Sequence, residues 1–450
     1  MTFAALGLNP AILKSLEQAG YSTPTPVQAQ TIPAALSGRD LLVSAQTGSG
    51  KTAAFMLPAI QKFSTTTTGA AAAGLTPNQQ RQSDRARGKR PAFRAAQPKM
   101  LVLTPTRELA LQVTEATVKY GAHSGQLQVV AILGGMPYPK QMALLARNPE
   151  ILVATPGRLI DHMRSGKIDL SQLQLLVLDE ADRMLDMGFI EDIEAVVAAT
   201  PATRQTMLFS ATLDGLVGKM AQKVTRDAQA IKLGGSASKH QNIEQRLHFV
   251  DDLAHKNRLL DYLLRDINID QAVVFTATKR DADSVAIRLN DAGFAAAALH
   301  GDMRQGERNR TLSAMRSGHV RVLVATDVAA RGIDVPSISH VFNYDLPHSP
   351  EDYVHRIGRT GRAGKNGLAI SLAKHEDNFN VRNIERYTKQ QIAVDVIAGY
   401  EPKRTAVKSK PAAKPGRKFG APRPFAGNGP RSDSRFGKAG AAKQERFASR

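Results

Sequence analysis

Residues 45–52 read AQTGSGKT, the GxxxxGK[ST] spacing of a loop that wraps phosphate, directly after the apolar run Leu41-Leu42-Val43. Strand, glycine loop and helix in that order form the context in which the pattern binds a nucleotide. Gly48 and Gly50 let the backbone curl, so that N–H groups along Ala45, Gln46, Thr47 and Ser49 can surround phosphate oxygens. Lys51 is placed to reach the β- and γ-phosphates and the Thr52 hydroxyl to hold Mg²⁺. The helix that follows adds the positive end of its dipole.

A second group supplies the acids. The run LLVL at 175–178 ends on Asp179-Glu180-Ala181-Asp182, and open α/β sheets bind ligands at the carboxyl ends of such strands. Asp179 is expected to hold Mg²⁺, partly through water, because magnesium keeps much of its hydration shell. Glu180 is the candidate for orienting and activating an attacking water.

Short apolar runs that position these groups recur along the chain. DLLVS, KMLVLTP, EILVATP, LLVLDE and QTMLFSAT fall in the first half; QAVVFTAT, AAALHGD, VRVLVATD, SHVFNYD and GLAISLA fall in the second. Each is rich in Leu or β-branched residues and is followed by a polar or glycine-bearing turn, the pattern of parallel strands joined by helices. Two such series predict an α/β protein of two tandem, doubly wound parallel-sheet domains. The expected boundaries are 1–233 for the first domain, 234–245 for a Gly/Ser-rich linker, 246–398 for the second domain and 399–450 for a disordered basic tail. Residues 64–98, rich in Thr, Ala, Arg and Pro, are expected to be a disordered insertion in the first domain.

Composition bounds the partners. The chain has 450 residues, a net charge of +20 and no cysteine, which excludes disulfides and points to a reducing compartment. The charge is uneven: residues 401–450 carry 14 Lys/Arg against 3 Asp/Glu, and residues 64–99 carry 7 against 1. The remaining body is nearly neutral, so attraction to a polyanion is concentrated in appendages. In the tail, Phe419, Phe425, Phe436 and Phe447 each have a basic residue within two positions, a composition able to hold a single-stranded polyanion with bases by counterion release and stacking. The N-terminus lacks the basic and apolar organisation of a secretion signal and no apolar run is long enough to span a bilayer, so a cytoplasmic protein without membrane association is expected.

Further motifs recur in a fixed order: Gly20-Tyr21 with PTPVQ (24–28), PTRELA (105–110), Gly134-Gly135, TPGR (155–158), DEAD (179–182) and SAT (210–212). In the second half follow VVFTAT (273–278), HGDMRQGER (300–308), ATDVAARGID (325–334) and HRIGRTGR (355–362). With these motifs, spread over roughly residues 1–395, the chain resembles the DEAD-box ATP-dependent RNA helicases, most closely their bacterial RhlE-type branch. The resemblance implies two RecA-like domains, RNA-stimulated ATP hydrolysis and local separation of RNA duplexes. It also implies that Asp334 contacts the ATP ribose, and that Ser210 and Thr212 hydrogen-bond Asp182 to couple nucleotide state to RNA handling.

Within that frame, Gln28 can donate and accept at once, matching adenine N6 and N7 and rejecting guanine; Tyr21 could stack on the base. Arg359 and Arg362 are candidates for neutralising charge on the transferring phosphoryl group. Because the phosphate loop lies in one domain and these arginines in the other, hydrolysis requires the domains to close. Arg107, Gly135, Thr155, Gly157, Arg158, Arg308 and Thr326, at strand ends or glycine turns, are the expected RNA-backbone contacts, which position a strand without reading its sequence. ATP and Mg²⁺ are the expected cofactors and RNA the partner of a monomer, with ribosomal particles or RNA-decay proteins as candidate assemblies. The competing reading is an RNA chaperone that anneals strands mainly through its basic tail.

Overall fold

The computed structural model describes residues 2–45, 48–70, 94–125, 127–213, 215–233, 242–266, 268–330, 335, 338–361 and 366–403, with side chains of 65–70 excepted. The expected tail beyond residue 403, the seam at 234–241 and residues 71–93 of the expected insertion lie outside the described residues.

Among the described residues, fourteen strands form two seven-stranded sheets. The first contains β1 (Leu41–Ser44), β2 (Met100–Leu103), β3 (Val129–Ile132), β4 (Ile151–Ala154), β5 (Leu175–Leu178), β6 (Gln205–Ser210) and β7 (Gln229–Lys232). The second contains β8 (Ile243–Val250), β9 (Gln271–Phe275), β10 (Ala296–Leu299), β11 (Val322–Ala325), β12 (Ile338–Asn343), β13 (Gly367–Lys374) and β14 (Ala393–Val394). Spatial orders are β3-β4-β2-β5-β6-β1-β7 and β10-β11-β9-β12-β13-β8-β14, and the strand pairs are parallel. These are the two doubly wound domains expected from the sequence, here called lobes 1 and 2.

Because successive strand residues face opposite sides, each sheet divides its apolar residues between two cores. In lobe 1, Val102, Val177 and Phe209 pack on one face, while Leu101, Leu176 and Leu208 pack on the other. Lobe 2 repeats this with Val273 and Phe275 against Ala272 and Val274. Burial on both faces explains why the central strands read as continuous apolar runs.

Strand order places the chemistry. In lobe 1, β1, β6 and β5 are neighbours, with Ser44 opposite Ser210 and Leu178 opposite Leu208. The phosphate loop, the SAT turn and the DEAD acids therefore leave the sheet side by side. On the other flank, β2 and β4 end together, Leu103 opposite Ala154, which delivers PTRELA and TPGR to one edge.

Several boundaries differ from expectation. The helix Lys51–Ala70 runs beyond residue 64. At the other end of the expected insertion, Ala96 is buried and bridges to Ile168, so the Ala-Pro-rich stretch is anchored before β2. β8 starts at Ile243, within the expected linker. Residues 399–403, expected in the tail, stay attached to lobe 2: the Tyr400 carbonyl oxygen lies 3.0 Å from His255 Nε2, and the Lys403 N–H donates to Asp251. Among the described residues, no helix is long and apolar enough to cross a membrane.

Candidate nucleotide site and nucleic-acid groove

Gly48 and Gly50 both have left-handed backbone, with φ of 82° and 91°, as required of the loop between β1 and its helix. The Ala45 N–H donates to the Ser210 carbonyl oxygen at 2.9 Å, tying the loop's start to the SAT turn. Ser49 follows within the loop, and Lys51, buried, and Thr52, half-buried, open the helix. Gln46 and Thr47 lie outside the described residues.

The Gln28 side chain closes the other wall. Its Oε1 accepts from the Thr25 N–H at 2.9 Å in a capping box, and its Nε2 donates to the Gly50 carbonyl oxygen at 3.1 Å. One N–H and one acceptor lone pair remain on the amide, enough for an adenine edge while the loop is held. A Cβ on Gly50 would collide with that amide. Tyr21 is 40 % exposed; its ring lies edge-on to Tyr120 and 5.7 Å from Lys119 Nζ.

Asp179 is 2 % exposed. Burial first, with the neighbouring charges of Glu180 and Asp182, pushes its carboxyl up to about 6 against the pull of the Lys51 ammonium. The Glu180 N–H donates to Asp179 Oδ1 at 3.0 Å, which favours the ionised form. Glu180 itself has φ 53° and ψ 52°. Left-handed backbone in a non-glycine residue costs about 1–2 kcal/mol and tends to persist at functional sites. Hard oxygen donors at Asp179 and Thr52 fit Mg²⁺, and a dication beside the buried carboxylate would restore its ionised state.

The expected hydroxyl link from the SAT turn to Asp182 is corrected. Asp182 Oδ2 accepts from the Ala211 main-chain N–H at 3.0 Å. The Ser210 hydroxyl oxygen accepts from the Thr212 N–H at 3.2 Å, and it is the Ala211 peptide N–H between the two hydroxyl residues that the turn presents to the carboxylate. The two motifs are joined, but through the backbone.

In lobe 2, Arg356 is nearly fully buried and bidentate to Asp327 at 2.6 and 2.7 Å. It also donates to Asn343 and to the Asp345 carbonyl oxygen, and lies over the Phe275 ring, which makes it a structural strut. Arg359, 4 % exposed, donates from Nε to the His355 carbonyl oxygen. It shares a small recess with Arg183 of lobe 1. Arg362 and Asp334 lie outside the described residues.

A separate groove runs between the lobes. Arg107, Gly134, Thr155, Gly157 and Arg158 line it from lobe 1, and Gln305 and Arg308 from lobe 2. Five of the seven expected backbone contacts are thus gathered: Arg107, Thr155, Gly157, Arg158 and Arg308. Gly135, φ 72°, backs the Arg107 guanidinium so closely that a Cβ there would overlap it. Thr326 is not brought to the groove; it is buried at the end of β11, its carbonyl oxygen accepting from the Ala329 and Ala330 N–H groups, and Val328 takes the lining position. Among the described residues, side-chain hydrogen bonds cross between the lobes from Arg308 Nη2 and Nε to Glu108 Oε1, at 2.6 and 3.2 Å, and from Arg107 Nη1 to Gln305 Oε1 at 2.7 Å.

A family model described as DEAD/DEAH box helicase matches residues 25–219, and another described as Helicase conserved C-terminal domain matches residues 255–364. ATP-dependent RNA helicase SrmB of Escherichia coli (strain K12) is 40% identical over 410 residues, covering 91% of this chain and 87% of that protein. The chain belongs to the DEAD/DEAH box helicase family. The DEAD-box ATP-dependent RNA helicase CshA of Geobacillus kaustophilus is 40% identical over 394 residues, 87% of this chain and 77% of its own length. Among solved structures, S. cerevisiae Dbp5 bound to RNA and ADP BeF3 superposes with a TM-score of 0.74 at 32% identity, covering 88% of this chain and 95% of that one. Mss116p bound to ssRNA and AMP-PNP gives 0.76 at 26% identity, covering 88% and 80%.

For a helicase core of this family, sequence reasoning missed three participants. Glu108 and Gln305 hold the two lobes together through the arginines of the groove. A signal existed: Gln305 and Arg308 stand three apart in HGDMRQGER, on one helix face. Arg183, next to the DEAD acids, carried no signal beyond its charge.

Proposed function

We propose that this chain is an RNA-stimulated ATPase that separates short RNA duplexes and remodels RNA–protein complexes, with ATP in the cradle of lobe 1 and an RNA backbone in the groove between lobes. Lys51 and the loop N–H groups bind the phosphates, and the Gln28 amide reads the adenine edge. Thr52 and Asp179, the latter through water, would hold Mg²⁺, which screens phosphate charge when bound. Glu180 takes a proton from the attacking water, and Arg359 stabilises charge developing on the phosphoryl group; Arg362 is assigned the same role and Asp334 the ribose, both from the motif match. Arg107, Thr155, Gly157, Arg158 and Arg308 position the sugar–phosphate backbone without reading bases.

The observation that carries this reading is the division of one site between two bodies. The phosphate loop and the acids leave β1 and β5, the two strands that flank β6 in lobe 1, and the buried Arg359 of lobe 2 shares a recess with the residue three past Glu180. Hydrolysis on such a site requires the lobes to be together. A groove lined by both lobes gives RNA the means to bring them there.

ATP turnover with matched RNA and DNA oligonucleotides, alongside displacement of a short RNA strand, tests the proposal. RNA is expected to stimulate turnover well above DNA. Lys51→Ala should weaken nucleotide binding, and Glu180→Gln should bind ATP but hydrolyse it far more slowly, leaving only a residual single-turnover rate. Equal stimulation by both nucleic acids, or near-normal turnover in Glu180→Gln, overturns the reading. The annealing alternative rests on the charge of residues 401–450; deleting 402–450 should remove any annealing while ATP-dependent displacement persists.

A further inference from the structure

Arg183 has no part in the mechanism above, yet it is among the most deeply buried cations of the molecule, 1 % exposed. None of its three guanidinium nitrogens finds a hydrogen-bond partner among the described residues. Its ion pair is with Glu180, Nε lying 3.5 Å from Oε2. The geometry is a charge contact without an aligned N–H, between two side chains that are both almost wholly out of water.

The recess that holds Arg183 opens toward the opposite lobe. Its recess is otherwise lined by residues of lobe 2, among them Asp327, Asp352, His355, Arg356 and Arg359. Asp327 and Arg356 neutralise each other in their bidentate pair. Asp352, which accepts from the Ser349 hydroxyl, lines the same recess, and Glu180 of lobe 1 is the carboxylate in ion-pair contact with Arg183. A desolvated guanidinium costs several kcal/mol unless a carboxylate holds it, and the attraction between two charges rises steeply as water is withdrawn. Seating lobe 2 therefore tightens the hold of Arg183 on Glu180. Parting the lobes admits water and loosens it.

We propose that Arg183 is a positioning residue that transmits lobe closure to Glu180, so that the carboxylate is fixed toward the attacking water only while lobe 2 covers the recess. The inference rests on the assignment of Glu180 as the proton acceptor. It adds a reason why turnover should wait for closure: lobe 2 supplies Arg359 and also, through Arg183, orders a group that belongs to lobe 1. Arg183 touches neither nucleotide nor RNA in this scheme, and the consequence of its loss should be confined to the chemical step.

The test is ATP turnover at saturating RNA for the full chain and for Arg183→Met, Arg183→Lys, Glu180→Gln and the double variant Glu180→Gln/Arg183→Met. Met keeps the length and apolar stem without the charge. The expected result is a kcat lowered about 10- to 100-fold in Arg183→Met, the scale of a misplaced catalytic group, with the KM for ATP changed less than about threefold. Arg183→Lys should recover part of the rate, because it returns the cation. In single-turnover assays, the Met substitution should cost nothing further in the Glu180→Gln background, since it acts through the carboxylate that variant has already neutralised. A normal kcat in Arg183→Met, a loss carried by KM, or the same fold loss in both backgrounds overturns the proposal. If Arg183→Met does not fold, as judged by its melting curve, Arg183→Gln carries the same comparison. If the unmodified chain has no RNA-stimulated turnover, the assignment of function fails instead, and the two failures are distinguished by that arm alone.

Discussion

The buried carboxyl of Asp179 makes a prediction about stability that is independent of turnover. Its titration point stands at about 6 in place of 3.8, with burial the largest cause. A raised carboxyl binds its proton more tightly in the folded chain than in the unfolded one, so the stability it contributes is full below about pH 4 and is lost as pH rises through about 6. At pH 8 the folded protein carries an anion disfavoured by about 3 kcal/mol. Asn at this position has no charge to desolvate. Asp179→Asn is therefore expected to stabilise lobe 1 by up to about 3 kcal/mol at pH 8, by about half that at pH 5, and not at all near pH 3. Urea unfolding followed by circular dichroism, in chelator and without nucleotide, measures this directly. Adding Mg²⁺ and ATP should narrow or reverse the ranking, because the unmodified chain gains binding free energy that the variant forgoes. A variant no more stable than the parent at pH 8, or a gain that does not change with pH, would falsify the electrostatic account of the site.

Three further outcomes are expected. Gly50→Ala introduces a side chain at φ 91° against the Gln28 amide, and should weaken binding of a fluorescent ATP analogue by tenfold or more while the circular dichroism spectrum is retained. Arg356→Ala removes the buried guanidinium that holds the partly exposed Asp327 and also donates to Asn343 and the Asp345 carbonyl oxygen, and should destabilise lobe 2 by about 2–3 kcal/mol in urea titrations; a loss below about 1 kcal/mol contradicts the role given to that pair. Glu108→Gln frees Arg308 from its 2.6 Å partner, so that RNA binding releases a bulk anion in place of displacing an internal one. The slope of log K against log salt should steepen by about one phosphate contact, and an unchanged slope would show that Arg308 does not reach the backbone.

The phosphate loop and the acid pair were readable because each sits where a buried strand gives way to a helix, a local pattern that tertiary structure does not override. The strands β3, β7, β8 and β14 were not read. β8, IEQRLHFV, mixes polar and apolar residues because it lies near a sheet margin where part of its surface stays wet; β14 is two exposed residues at the very edge. The helix after the loop continues to Ala70, although Thr-rich sequence favours turns. Groove-lining arginines could be named from their motifs, but their partners could not. Glu108 and Arg308 stand 200 positions apart, and no periodicity spans that separation. Nor could sequence foresee the left-handed backbone of Glu180 or the near-complete enclosure of Arg183.

The tie between Asp182 and the SAT turn runs to a peptide N–H, and every amino acid except proline carries one. Alanine replacement of Ser210 or Thr212 would remove hydroxyls and leave this tether intact, so a scan of side chains would overlook it. Proline at position 211 would sever it outright. A communication line built from main chain tolerates wide drift in the letters around it, and only a change in the course of the chain itself can cut it.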